Sequence, residues 1–275
     1  MQRQLLHIFR NTPLGRETFL SSLYFCSRIG AVPVVYVPTH TKFLMYFDND
    51  VVQVDLDESY LTDPGSARGH VEDLAAGFGL EVRYVEPEHF TASTLPDIST
   101  DYDFMCLPRT VSDFSSKIGL GYIGPRVRRI VNSARFPVLI TSANFKPWQS
   151  IAVMFGGSVN ARKALRIGIR LSDRSGLPLR VFTQSESLRK EDYLEGLEEM
   201  FSQEEIGKIQ DGWRIFDGGE MELNLYEIPH DALVVLGAYG HGLIRDIVFG
   251  SKMERIQSTL PNNLLVVGPN HVVPV

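Results

Sequence analysis

Leu233-Val234-Val235-Leu236-Gly237-Ala238-Tyr239-Gly240-His241 decides the fold, together with Gly250-Ser251-Lys252, which nine residues separate from Gly240. The apolar run Leu233 to Leu236 reads as a buried strand. Met253, Ile256 and Leu260 are spaced like the inner face of a helix. The order is therefore strand, glycine-bearing loop, helix. Such an order turns backbone N–H groups and a helix N-terminus toward one point, and that point attracts phosphate. Gly237 and Gly240 remove side chains where a ligand approaches the backbone. Ser251 can cap the helix, and its hydroxyl can reach a phosphate oxygen. His241 can donate a hydrogen bond as neutral imidazole, and protonation strengthens the contact. Lys252 can add a positive charge beside it. Both side chains equally fit a solvated surface, and the glycine spacing also fits a tight turn that binds nothing.

Working outward, the chain reads as a repeat. Leu5 to Thr12 lies over Ile151 to Ser158, and each reads as a strand ending in a polar turn with a helix cap. Pro33 to Val37 lies over Pro178 to Phe182, Asp103 to Leu107 over Asp231 to Val235, and Gly124 to Ala143 over Gly250 to Pro269. A period near half the length marks a duplicated domain rather than a solenoid. In the second half the expected strands are 151–155, 179–183, 213–216, 232–236 and 264–267. A helix starts at Ser158 and buries Ala161, Ala164, Leu165 and Gly168. A charged helix covers about 188–209, its solvated acidic face backed by Leu194, Leu197 and Phe201, and a short helix covers 221–228. The first half follows the same order with an addition around Phe43 to Leu56. Alternating strands and helices predict an α/β fold: two tandem doubly wound domains, each with a mostly parallel five-stranded sheet and helices on both faces. The domains are expected at 1–146 and 147–275. Ligands of such sheets bind outside the carboxyl ends of the strands, so the loops at Gly156 and Gly237 can share one site.

The G-x-x-G, nine residues, G-S loop resembles that of the universal stress protein family, and the tandem strand-helix pattern resembles it over nearly the whole chain. The resemblance implies a stress-response protein that binds ATP, with Mg as an accompanying ion. It acts by conformational signalling or by binding a partner protein. It implies ligand contacts at Gly156, Leu236, Gly237, Gly240, His241, Gly250, Ser251 and Lys252. It also implies pairing through the fifth strand, which Val138 to Thr141 and Leu264 to Val267 can satisfy within one chain or in a homodimer. Two departures stand out. The family's Asp at the end of the first strand, which supports adenine, is Gly156 here. In the first half, Arg109 and Ser112 stand over Gly237 and Gly240, and Pro125 stands over Ser251. The first half is therefore expected to hold no ATP. The alternative reading is a nucleotide-free interaction scaffold of the same fold.

No side chains form a positioned base or a phosphoryl acceptor, so at most slow incidental ATP hydrolysis is expected. Gly119 to Gly124 has the composition of a dinucleotide loop but lacks the strand before it. Arg128 and Arg129 are expected to face water. The 275 residues carry 27 Lys plus Arg and 33 Asp plus Glu, a net charge of −6 that argues against duplex nucleic acid. Cys26 and Cys106 read as core residues, and no zinc spacing occurs. No apolar run is long enough to span a membrane, and Met1-Gln2-Arg3-Gln4 does not open a signal peptide, so a cytoplasmic protein is expected.

Overall fold

The computed structural model describes residues 2–56, 63–88, 94–111, 123–185, 189–238 and 260–272. The first half comprises β1 (Gln4–Ile8), α1 (Pro13–Ile29), β2 (Val32–Tyr36), β3 (Lys42–Phe47), β4 (Asp50–Asp55), α2 (Pro64–Ala76), β5 (Arg83–Tyr84), β6 (Asp97–Ser99), β7 (Phe104–Pro108), α3 (Pro125–Ser133) and β8 (Val138–Thr141). The second comprises β9 (Ser150–Met154), α4 (Val159–Ser175), β10 (Leu179–Gln184), α5 (Lys190–Glu198), α6 (Gln203–Asp211), β11 (Trp213–Phe216), α7 (Met221–Leu225), β12 (Ala232–Gly237) and β13 (Leu264–Val267).

Among the described residues, ten strands form one sheet in the order β11-β10-β9-β12-β13-β8-β7-β1-β2-β5. Each half contributes its strands in the same internal order, with parallel neighbours. The halves join at β13 and β8, which run antiparallel with Leu264 opposite Ile140 and Val266 opposite Val138. The expected pair of parallel five-stranded units is present, fused through the fifth strands.

The sheet is buried on both faces because consecutive residues of a strand point to opposite sides. Leu6, Met105, Ile140, Met154, Val234 and Val266 belong to one apolar layer. Their neighbours Leu5, Cys106, Leu139, Val153, Val235 and Leu265 belong to the other. The first helix of each half starts in the same way. Thr12 Oγ1 accepts from Gly15 N at 2.9 Å, and Ser158 Oγ accepts from Ala161 N at 3.2 Å. These caps satisfy an amide that the helix cannot. A partly buried carboxylate–amide contact and its opposite occupy matching places: Glu17 Oε2 accepts from Phe145 N at 2.6 Å, while Lys163 Nζ donates to His271 O at 2.8 Å.

Four expectations are corrected. The single charged helix over 188–209 is two, because Ser202 and Glu205 form a capping box that starts α6 afresh. The helix expected at 221–228 ends at Leu225. Arg129 and Arg128 do not simply face water. Arg129 reaches Asp50 at 2.5 Å, and Arg128 Nε donates to Ile123 O at 2.9 Å. Finally, the halves superpose with a shift of one residue at two strands. Ile151 pairs with Leu179 and Leu233, whereas Leu5 pairs with Pro33 and Phe104. The residue matching Gly237 is therefore Pro108, and Arg109 matches Ala238.

The addition around Phe43 to Leu56 is a hairpin, β3 and β4, which with β6 forms a separate three-stranded sheet. Its Phe43, Met45, Val52 and Val54 are buried against Met105, Val127 and Ile130 of the main sheet and α3. Ion pairs of Asp48 with Arg135, Asp50 with Arg129 and Asp55 with Arg126 tie it to α3 and its surroundings. The hydrogen bond from Arg129 holds the Asp50 carboxyl at a pKa of about 2. Cys26 and Cys106 are free and buried, as expected, and burial pushes both thiols up.

Candidate functional site

The carboxyl ends of β9 and β12 lie side by side, because Met154 pairs with Leu236. Gly156, two residues past Met154, is half-buried beside the start of α4. Gly157 has φ 76, a left-handed turn that lets Ser158 swing into the capping position. Leu236 is buried and faces the layer shared with Met154.

Gly237 is demanded by sterics. A Cβ there would lie 2.4 Å from Asn160 C, 2.5 Å from Asn160 O and 2.7 Å from Ala161 N. The missing side chain lets the end of β12 ride on the first turn of α4. Asn160 completes the contact, its Nδ2 donating to Ala238 O at 2.6 Å. The two glycine-bearing turns are thus locked to one helix N-terminus. That terminus carries the positive end of the α4 dipole. Asn160 carries no signal of this contact in the sequence. Its role becomes visible once β12 and α4 are seen in contact.

The structure brings Gly156, Leu236 and Gly237 together. Gly240, His241, Gly250, Ser251 and Lys252 lie outside the described residues, as do Ser112, the run Gly119 to Tyr122, and Met253 and Ile256 of the expected helix.

On the other side of β9, a narrow slot with little more than room for one water lies at the ends of β9, β10 and β11. Met154, Phe182, Phe216 and Met221 make its apolar walls, and Gln184 and Asn224 its polar rim. Asn224 Nδ2 donates to Gln184 Oε1 at 2.6 Å and to Gly218 O at 2.9 Å. Among the described residues, the rim holds amides and no charged group. Among the described residues, no group of three or more His, Cys, Asp or Glu is placed to hold a metal. No described helix is long and apolar enough to cross a membrane.

The matching place in the first half is occupied by protein. Ile8 pairs with Tyr36 as Met154 pairs with Phe182. The Tyr36 ring packs edge-on against Phe43 of the hairpin, centroids 5.1 Å apart. Arg10 and Asn11 stand where Gly156 and Gly157 stand, and Pro108 and Arg109 where Gly237 and Ala238 stand. Arg109 is partly buried, and desolvation lowers its guanidinium pKa to about 10. It donates to Leu260 O at 3.1 Å and Asn262 O at 2.9 Å in the second half.

The fold is shared with known proteins. The chain is similar to a solved universal stress protein of Archaeoglobus fulgidus, with a TM-score of 0.60 and 16% identity over 96% of this chain and 98% of that one. It is also similar to a protein of Pseudomonas aeruginosa assigned to the universal stress proteins, with a TM-score of 0.59 and 13% identity over 98% and 94% of the two chains. The fold is that of the universal stress proteins, the family its glycine loop resembles. In sequence, the chain is 24% identical over 181 residues to a curated universal stress protein of Synechocystis. That match takes in 65% of this chain and 62% of the relative's length. No family model matches the chain.

Proposed function

We propose that this is a tandem stress-response protein that binds one adenine nucleotide, ATP with Mg, through the domain at 147–275. The observation that supports the reading is the junction of Gly156, Gly237 and the α4 N-terminus, locked by Asn160 on Ala238. It places the start of the G-x-x-G segment beside a helix dipole, at the carboxyl ends of the strands where doubly wound sheets bind ligands. Gly240, Gly250 and Ser251 supply further phosphate donors in this reading, with His241 and Lys252 adding charge. The domain at 1–146 takes no nucleotide, since its own hairpin fills the corresponding place and Pro108 stands for Gly237. The protein acts in the cytoplasm through conformational signalling or a protein partner, and ATP hydrolysis is at most slow and incidental. A homodimer is compatible with the exposed sheet edges at β5 and β11.

Gly240→Val puts a branched side chain where phosphate must approach. Calorimetry with Mg·ATP is expected to show its binding abolished, while equal affinity in wild type and variant would sink the reading. Base preference is the second test. Without the acidic residue at Gly156, the site lacks one hydrogen-bond partner for the base, a loss on the order of 1–3 kcal/mol. Gly156→Asp is expected to raise the preference for ATP over GTP. A wild type that already prefers ATP by about a hundredfold, roughly 2.7 kcal/mol, would mean that another group reads the base.

The scaffold reading keeps a specific observation in its favour, because Gly237 is explained by the packing of α4 alone. Mass spectrometry of small molecules released from the denatured protein separates the two readings: nucleotide in the first case, none in the second.

A further inference from the structure

His7 lies in β1, two residues after Leu5, so its ring points to the face of the sheet that α1 covers. It is buried, its centroid is 4.9 Å from that of Phe19 on α1, and neither ring nitrogen is hydrogen-bonded. Its strand neighbours are Val35 of β2 and Cys106 of β7. Cys106 Sγ in turn lies 3.8 Å from Thr18 O of α1. Burial raises this thiol, so it stays neutral in acid. The acids of the facing helices are engaged elsewhere. Glu17 of α1 accepts from Phe145 N, Glu72 of α2 accepts from the Tyr84 hydroxyl, Asp63 caps α2, and Asp73 is exposed. Of the basic groups there, Arg28 donates to Ser175 O, Arg68 pairs with Glu86, His70 Nδ1 lies 2.8 Å from Ser66 O, and Arg16 is partly exposed. Among these neighbours no carboxylate is placed to hold a protonated ring.

The second half supplies the comparison. Val153 stands at the place of His7, with Val181 and Val235 as its strand neighbours, in the layer that α4 covers. One position of the repeat thus carries a group that can gain charge in the first half and an apolar one in the second. Strand pairing holds β1 on both sides, to β2 and β7. Water reaches the ring without breaking the sheet when the helix over it lifts, and α1 is the helix whose Phe19 lies against it.

We propose that the first half carries an acid-sensitive latch: protonation of His7 lifts α1 from the sheet and opens the apolar layer beneath, while the second half stays closed. The inference does not rest on the nucleotide reading. An imidazolium sealed in an apolar layer has lost its hydration with no hydrogen bond in return, so the open form is the one that takes the proton. Burial lowers the ring's pKa from 6.5 to about 3. Between those values opening becomes about tenfold easier for each pH unit, and about seventyfold easier from pH 7 to pH 4.5. The Asp50 carboxyl, held at about 2, keeps its charge over this range and does not release the hairpin. His271 is also lowered by burial, but it follows β13, against Lys163 and Arg135.

The layer contains its own probe. The chain's two cysteines, Cys26 of α1 and Cys106 of β7, are buried there with Leu5 and Phe25. The full chain and His7→Leu are treated with a dithiodipyridine reagent at pH 7 and pH 4.5, each rate being divided by that of the urea-unfolded chain at the same pH. Amide hydrogen exchange is followed at both pH values. In wild type the normalised thiol rate is expected to rise about seventyfold, with protection lost in α1 and kept in α4; in His7→Leu it should rise by less than about threefold. An equal rise in the two proteins, or no rise in wild type, overturns the proposal. Equal loss of protection in α1 and α4 also overturns it, since the whole chain would then unfold together. Loss that begins at 264–272 does the same, because the trigger would then be His271. If His7→Leu does not fold, His7→Val, which copies Val153, takes its place.

Discussion

Gly237→Ala is expected to lower the unfolding free energy by about 3 kcal/mol, the upper part of the range for overpacking a tight contact. The added Cβ would meet the backbone of Asn160 and Ala161 at 2.4 to 2.7 Å, and no flexible side-chain end is there to move aside. Either β12 retreats from α4, breaking the Asn160 bond to Ala238, or the first turn of α4 is pushed out. Gly196→Ala is the control, because a Cβ on that α5 residue meets nothing within 4 Å. It should be neutral or stabilising by about 0.5–1 kcal/mol, as alanine outranks glycine in a helix. Urea unfolding of both variants checks the pair. A Gly237→Ala midpoint equal to wild type would mean that the close approach of β12 to α4 is not real.

The second large effect is on pH. His7 is buried in β1 between Phe9 and Phe19, with its ring centroid 4.9 Å from that of Phe19 and neither ring nitrogen hydrogen-bonded. Burial without a partner penalises the charged form and lowers its pKa from 6.5 to about 3. In the unfolded chain the imidazole titrates at its ordinary value. Below pH 6.5 the unfolded state therefore binds a proton that the folded state refuses. The stability from a neutral His7 is complete above pH 6.5 and falls as the pH drops toward 3. Between pH 7 and 4.5 the loss is about 2–3 kcal/mol. His271, also lowered by burial, adds a loss in the same direction. His7→Leu keeps an apolar filling and sacrifices no hydrogen bond, so it should remove the His7 share of the slope. Urea midpoints of wild type and variant at pH 7 and pH 4.5 test this. Parallel slopes would show that His7 does not stay neutral in the folded chain.

Much of this was legible in the sequence. Ser158 was read as a helix cap, and the strands Trp213 to Phe216 and Leu264 to Val267 lie where the apolar runs ended. The internal pairing of the fifth strands is what the family resemblance implied. What escaped has physical causes. Buried parallel strands are apolar on both faces, so they lack the two-residue alternation that would fix their phase. The match of Asp103 to Leu107 with Asp231 to Val235 could slip by one without any apolar residue looking misplaced. That slip set Arg109 over Gly237, when its place is over Ala238. The charged segment 188–209 contained the Ser202 and Glu205 capping box, but the apolar stripe of Leu194, Leu197 and Phe201 concealed the break. The reach of Arg109 to Leu260 and Asn262 spans about half the chain, and no local pattern announces such a contact. The hairpin was seen only as an addition. Its role as filler of the first half's cleft depends on Phe43 meeting Tyr36, which is a tertiary fact.

The measurement that bears most directly on the central claim is the stoichiometry of Mg·ATP binding to the full-length chain, read by titration calorimetry. The two halves share a fold but differ where a ligand would sit. Gly156, Gly157 and Gly237 in the second stand against Arg10, Asn11 and Pro108 in the first, whose cleft is filled by its own hairpin. The expected result is one nucleotide per chain. No binding, or two equivalent sites per chain, would contradict it.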